Sequence, residues 1–242
     1  MTAICCFLRL GLFCLGGLTV AANAAEMTEV DLQLILAADT SSSMNRDELR
    51  MQRDGYVAAF RHRDLADAIL SGPLGLVAVT YVEWSGPADQ AVVVPWTILA
   101  DRQGTVDFAD RLAAATEGRG SGTALSSGLL FAAQRFGESG VRSNRKVIDV
   151  SGDGIGNDGP PLDWAHALVG DGITVNGLSV VFPETDIYGP FAAMFGSDDA
   201  DVHAYYRDQV IRGPGAFAIT VNDMNDFAAA IRRKLVMEIA WR

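Results

Sequence analysis

The chain has 242 residues, with 19 Lys and Arg against 30 Asp and Glu for a formal net charge of −11, and 49% of its residues are apolar. That length and apolar share suffice for a full packed core without disulfide or metal staples. The acidic balance argues against nucleic acid or an anionic lipid surface as partner.

Residues 1–24 read as a signal peptide, leaving residues 25–242 as the mature domain. Arg9 is the only charge in the segment, an apolar stretch runs from Leu10 to Val20, and Ala22-Asn23-Ala24 fits a small-x-small cleavage site. The apolar stretch is too short to span a bilayer, which needs roughly 20 residues. Cys5, Cys6 and Cys14 all fall in this segment, so the mature chain has no cysteine for a disulfide, a zinc thiolate or a nucleophile. Losing Arg9 leaves 18 basic against 30 acidic residues, a net charge of −12. No second long apolar segment follows. The expectation is an exported protein, periplasmic or extracellular, without membrane insertion of the mature chain.

The first strand-like run is Val30–Ala38, and it ends in "ADTSSSMNRDE", which places Asp39, Ser41 and Ser43 at i, i+2 and i+4. Each has an ordinary use at such a junction, the serines as helix caps and the aspartate as a turn residue. A helical pattern follows over Asp47–Leu70, with Leu49, Tyr56, Val57 and Phe60 on one face. Leu74–Trp84 and Ala91–Leu99 read as the next two strands. Only Ser85–Gln90 separates them, too few residues for a parallel crossover, so they should pair as an antiparallel hairpin.

Next comes "GRGSGTALSSG", which delivers Thr123 from a glycine-rich loop to the start of a helix over Ala124–Phe136. The strand Lys146–Ser151 runs into "SGDGIGNDG", presenting Asp153 between glycines, while Asp149 inside that strand reads as a hydrogen-bonded core carboxylate. Asn157 and Asp158 read as turn residues. Ile173–Val181 and Ala216–Val221 complete six strand-like runs. Between them, the 182–215 segment is punctuated by Pro and Gly, carries Asp198, Asp199 and Asp201, and holds a short helix through Tyr205 and Tyr206. The last helix, from about Asn222 to Ala240, spaces Phe227, Ile231, Leu235 and Ile239 at i+4, with Arg232, Arg233 and Lys234 in its middle, read as a response to the helix dipole.

Strands alternating with helices predict an α/β three-layer sandwich around a mostly parallel six-stranded sheet, with Ala91–Leu99 the one antiparallel strand. Ligands of such sheets sit at the carboxyl ends of strands. Three loops on that rim would supply two carboxylates, Asp39 and Asp153, and three hydroxyls, Ser41, Ser43 and Thr123. These are hard oxygen donors that suit Mg²⁺, with Mn²⁺ or Ca²⁺ as alternatives, and do not suit zinc. Two carboxylates cancel a divalent charge and leave no excess, so an incoming carboxylate could replace a water on the ion.

These segments resemble the metal-ion-dependent adhesion site (MIDAS) of von Willebrand factor A domains, a Rossmann-like fold. "VEWSG", "VIDVSGDG" and "GPGAF" are similar, more narrowly, to a family of exported bacterial A-domain proteins of unknown function. The resemblance implies direct ligation by Ser41 and Ser43, ligation by Thr123 directly or through water, and roles mainly through water for Asp39 and Asp153. It departs at Gly152, which makes the third motif S-G-D-G where S-D-G or T-D-G is usual.

Rival chemistries fare worse. D-T-S at Asp39 and G-T-A-L-S at Gly122 faintly echo subtilisin-like hydrolases, but a triad needs a histidine base, and His62, His166 and His203 all fall in helical or charged contexts. "DGIGNDG" does not satisfy an EF-hand, and Ser41 stands where a phosphohydrolase would place a second carboxylate. The expectation is therefore no enzyme. It is a metal-dependent module that binds a protein ligand presenting a carboxylate, or alternatively a scaffold that binds through 182–215 while any ion braces the loops.

Overall fold

The computed structural model describes residues 27–181, 199–223 and 226–240. The expected signal peptide, and residues 182–198 of the loop-rich segment, lie outside the described residues. The strands are β1 (Thr28–Glu29), β2 (Leu32–Asp39), β3 (Val77–Trp84), β4 (Gln90–Leu99), β5 (Val141–Arg142), β6 (Lys146–Gly152), β7 (Thr174–Val180) and β8 (Ala218–Val221). Among the described residues, β1 and β5 form a small two-stranded sheet, and the other six form one sheet in the order β4-β3-β2-β6-β7-β8. Every pairing in the larger sheet is parallel except β3 with β4. The short Ser85–Asp89 turn enforces that hairpin, with Ser85 N–H donating to Asp89 O at 3.0 Å. The exposed β4 takes the edge, where Pro95 costs no ladder bond.

The helices are α1 (Arg46–Arg61), α2 (Arg63–Leu70), α3 (Arg102–Ala114), α4 (Leu125–Arg135), α5 (Leu162–Val169), α6 (Asp199–Tyr205) and α7 (Phe227–Ala240), with a π-helical turn over Tyr206–Val210. β2 is buried along its whole length, so its alternation is hidden in the sequence but explicit in the packing. Leu32, Leu34, Leu36 and Ala38 face one core with Tyr56, Phe60, Phe227, Ile231 and Leu235 from α1 and α7. Ile35 and Ala37 face the other with Leu125, Leu129 and Ala132 from α4. The sandwich therefore has three layers, as expected.

Two expectations need correction. The single helix over Asp47–Leu70 is two, because His62 is extended (φ −79°, ψ 137°), closing α1 and capping α2 by accepting from Asp64 N–H. An imidazole acceptor at that point offers the next helix a cap in place of a continued turn. The second concerns Lys234, read as one of three basic residues answering the helix dipole. It is instead fully buried, its Nζ 2.6 Å from Asp149 Oδ1 and 2.5 Å from Glu238 Oε1. Glu238 also accepts from Asn176 Nδ2 at 2.9 Å, so Asp149 in β6, Lys234 and Glu238 in α7, and Asn176 in β7 form one buried polar group. A lysine enters a core when carboxylates meet it there.

Candidate metal centre

The loop after β2 assigns its polar residues by position. Asn45, not Ser41 or Ser43, caps α1: its Oδ1 accepts from Asp47 N–H at 2.9 Å and Glu48 N–H at 3.0 Å. Glu48 Oε2 accepts from Asn45 N–H in return, completing a capping box. The helix needs nothing from the serines, which turn to the rim. Asp39 Oδ1 accepts from Ser41 N–H at 2.7 Å, Ser41 Oγ lies 2.8 Å from Ser43 Oγ, and Ser43 Oγ donates to Asp153 Oδ1 at 2.8 Å. The pairing of Ala38 with Ser151 puts the ends of β2 and β6 side by side and makes that last bond possible. Asp39 and Ser41 are fully buried, Ser43 is exposed and Asp153 half-buried, so the group runs from the core outward.

Thr123 reaches the same neighbourhood on a different tether. Gly122 has φ +80°, a left-handed turn that glycine accepts without strain. Thr123 N–H donates to Asn157 Oδ1 at 3.1 Å, and Thr123 O accepts from Asn157 N–H at 3.0 Å. Asn157, read from sequence as a turn residue, is what ties the Thr123 loop to the loop carrying Asp153. Ala124 caps α4 without a side-chain bond, so Thr123 is not consumed as a cap. Asp39, Ser41, Ser43 and Asp153 are thus joined through hydrogen bonds, and Thr123 is joined to their loop through its backbone.

A supporting layer was not visible in the sequence. Gln52 of α1 donates to Asp39 O at 2.9 Å and accepts from Ser151 Oγ at 2.9 Å, clamping the ends of both strands. Arg53 ion-pairs with buried Glu83 and donates to Ala115 O at 2.6 Å, while Glu83 accepts from Gly118 N–H at 3.0 Å. This pair anchors the glycine-rich loop that leads to Thr123. Helical spacing marks Gln52 and Arg53 only as polar positions, with no sign that they point inward.

Burial, and after it the charge of Asp153, pushes the Asp39 carboxyl up to about 8. Burial pushes Asp153 up to about 6, with Glu48 adding to the rise against the bond from Ser43. Asp39 Oδ2 is buried and has no hydrogen-bond partner. Two crowded carboxyls and an orphaned buried oxygen fit a divalent cation, which would relieve both. Among the described residues, no three or more His, Cys, Asp or Glu side chains gather at metal-holding distance, so any ion here draws on hydroxyls as well.

A protein family described as "Protein of unknown function (DUF1194)" matches residues 29–242. The chain belongs to the DUF1194 family. Among solved structures, this DUF1194 chain is similar to proximal thread matrix protein 1 from the mussel byssus with a zinc-occupied MIDAS motif, at 18% identity and TM-score 0.56, covering 89% of this chain and 50% of that one. It is similar to the pilus adhesin SpaC of Lactobacillus rhamnosus GG in its open conformation, at 14% identity and TM-score 0.59, covering 87% and 30%. A von Willebrand factor type A protein of Catenulispora acidiphila gives 16% identity and TM-score 0.56, covering 87% and 43%. The DUF1194 chain spans about half the length of the byssus protein or less of these neighbours. At these identities the likeness establishes the fold, which is that of a von Willebrand factor A domain. No curated protein is similar enough to count as a relative.

The histidines of this DUF1194 chain are engaged away from the rim carboxylates. His62 caps α2, His166 Nε2 lies 3.0 Å from Gln209 O, and His203 Nδ1 meets Thr220 Oγ1. Beside the rim, a groove of about 630 Å³ is lined by residues including Ile155, Pro161, Leu162 and Tyr205. Among the described residues, no helix is long and apolar enough to cross a membrane.

Proposed function

We propose that this DUF1194 chain is an exported protein-binding module of adhesion or assembly type, and not an enzyme, which grips its partner through a divalent ion at the sheet rim. One observation carries the reading: Asp39, Ser41, Ser43 and Asp153 form a continuous hydrogen-bonded group whose innermost carboxylate oxygen is buried without a partner. The fold it shares with a pilus adhesin and with a protein whose MIDAS motif holds zinc supports the same reading. Ser41, Ser43 and Thr123 would offer neutral hydroxyls, and Asp39 and Asp153 would offer charge. Oxygen donors alone favour Mg²⁺, with Mn²⁺ or Ca²⁺ next. When bound, the ion supplies a coordination position open to an anionic oxygen. The carboxylates neutralise it without excess, so a carboxylate presented by a partner protein is the matching group.

The test is capture of a partner from the envelope fraction of the exporting cell in Mg²⁺. EDTA should release that partner and Mg²⁺ should restore it, with Asp39→Ala acting as EDTA does. A partner that ignores both would leave the scaffold reading, in which 182–215 is the binding surface and the ion braces loops.

A further inference from the structure

Gly152, where the third motif departs from the usual pattern, lies at the end of β6 between the side chains of Tyr206 and Asp39. A Cβ there would stand 2.6 Å from Tyr206 Oη and 2.8 Å from Asp39 Oδ2, so both oxygens face the bare Cα of this glycine. Further along the same face, a Cβ on Gly177 of β7 would stand 2.7 Å from Tyr206 Cδ1. Two glycines in adjacent strands thus clear a track along which the Tyr206 ring lies, with its hydroxyl aimed at the metal loop. Tyr206 is fully buried, and its Oη, like Asp39 Oδ2, is buried without a hydrogen-bond partner. It opens the π-helical turn Tyr206–Val210, closed by Ile211 N–H donating to Tyr206 O at 3.0 Å. Such turns are rare and concentrate at functional sites.

Buried polar atoms without partners are exceptions that need a cause, and here two face one point. A phenol can donate, and an ionised carboxylate can only accept. We propose that Tyr206 is a positioning residue of the metal site: its hydroxyl donates across Gly152 to Asp39 Oδ2 when the ion is bound, locking the carboxylate in place. Oδ1 is already held by Ser41 N–H, so this second bond fixes both oxygens of Asp39 while the other lone pair of Oδ2 stays free for the ion or its water. The motif's departure at Gly152 then has a purpose, because any side chain there would push the phenol away from the carboxylate. The inference rests on the metal reading above and extends it to a residue 167 positions away from Asp39 in sequence (206 less 39).

The experiment uses the full chain, stripped with EDTA and titrated with Mn²⁺, in wild type, Tyr206→Phe and Tyr205→Phe. Tyr205 is the control, since its hydroxyl lies against Gly156 rather than Gly152. Tyr206→Phe should weaken Mn²⁺ binding by about tenfold, as loss of an outer hydrogen bond to a metal site does. Its melting temperature without metal should not fall, because the change removes an unpartnered buried hydroxyl. Mn²⁺ should also produce a tyrosine ultraviolet difference spectrum in wild type and Tyr205→Phe that is lost in Tyr206→Phe. Mn²⁺ affinity within twofold of wild type in Tyr206→Phe would overturn the proposal, as would a wild-type protein that binds Mn²⁺ with no tyrosine signal, which needs no folded variant. A wild-type protein that binds no Mn²⁺ at all would instead overturn the metal reading and take this inference with it.

Discussion

Ser43 Oγ donates to Asp153 Oδ1 at 2.8 Å across 110 positions of sequence. It is the bond that joins the β2 loop to the β6 loop at the rim, and it lies at the exposed end of the group. A partly exposed hydrogen bond contributes little to stability, about 1 kcal/mol, whereas a metal site loses a donor outright. Ser43→Ala should therefore lower Mg²⁺ affinity at least tenfold with a melting temperature near wild type, and Ser41→Ala with Ser43→Ala should abolish binding. Isothermal titration alongside thermal melts reads both, and unchanged Mg²⁺ affinity in the double variant would remove the serines from the site.

The pH dependence has a definite sign. Asp39 rises from 3.8 to about 8 on folding and Asp153 from 3.8 to about 6. The metal-free folded chain therefore holds protons that the unfolded chain releases, and stability falls as pH rises from about 4 through 6 to 8. Melts in EDTA should drop over that window, and the drop should be smaller in Asp39→Asn, which cannot titrate there. Mg²⁺ should stabilise more at pH 8 than at pH 5, because protons compete with it. A metal-free melting temperature that climbs across the window would contradict the burial of these carboxyls.

Partner capture should also carry a salt signature. The mature chain expected from the sequence has a net charge of −12, so an acidic partner is repelled at long range and its association should speed up as salt screens that repulsion. Surface plasmon resonance at low and high salt in Mg²⁺ measures it. Thr123→Ala should weaken capture while sparing the fold. An on-rate that falls with salt points to a basic partner and away from a carboxylate.

Lys234 offers a test of the core. Replacing it with Met leaves Asp149 and Glu238 buried together without a cation, and breaking a buried pair costs about 3–5 kcal/mol. Burial first, and the charge of Asp149 next, already push Glu238 up to about 7. The loss in Lys234→Met should therefore be smaller at pH 5, where Glu238 is protonated, than at pH 8. Urea unfolding at both pH values decides it, and a loss under about 1 kcal/mol at pH 8 would mean the carboxylates find another partner.

The sheet was legible because strands buried on both faces read as apolar runs, and the hairpin because Ser85–Gln90 is too short for a parallel crossover. Local competition hid the break at His62, where a side-chain cap outweighs an otherwise continuous helical pattern. The paired β1 and β5 strands have two residues each, too short to leave a period. α3 carries a helical spacing too, with its buried Thr105, Phe108, Ala109 and Leu112 at i, i+3, i+4 and i+7, though only three of the four are apolar. At the rim, Asp39, Ser41 and Ser43 announce themselves by spacing. Gln52, Asn157 and Tyr206 do not, because each acts at the rim by a contact that no local pattern encodes. Lys234 misled because a basic residue in a helix looks the same whether it meets water or buried carboxylates.

The buried group of Asp149, Lys234 and Glu238 also has a mechanical meaning. It rivets α7 to the middle of β6, and β6 is the strand that ends beside Asp153. Sliding α7 by one turn, about 5.4 Å, would drag Lys234 off Asp149 and strand a charge among apolar neighbours. Tension applied to α7 would therefore reach β6 through Lys234 and Asp149, beside the load carried by the packing of α7 on α1. In a force-spectroscopy comparison, wild type should resist such a pull better than Lys234→Met, and equal rupture forces would show that the load travels by another route.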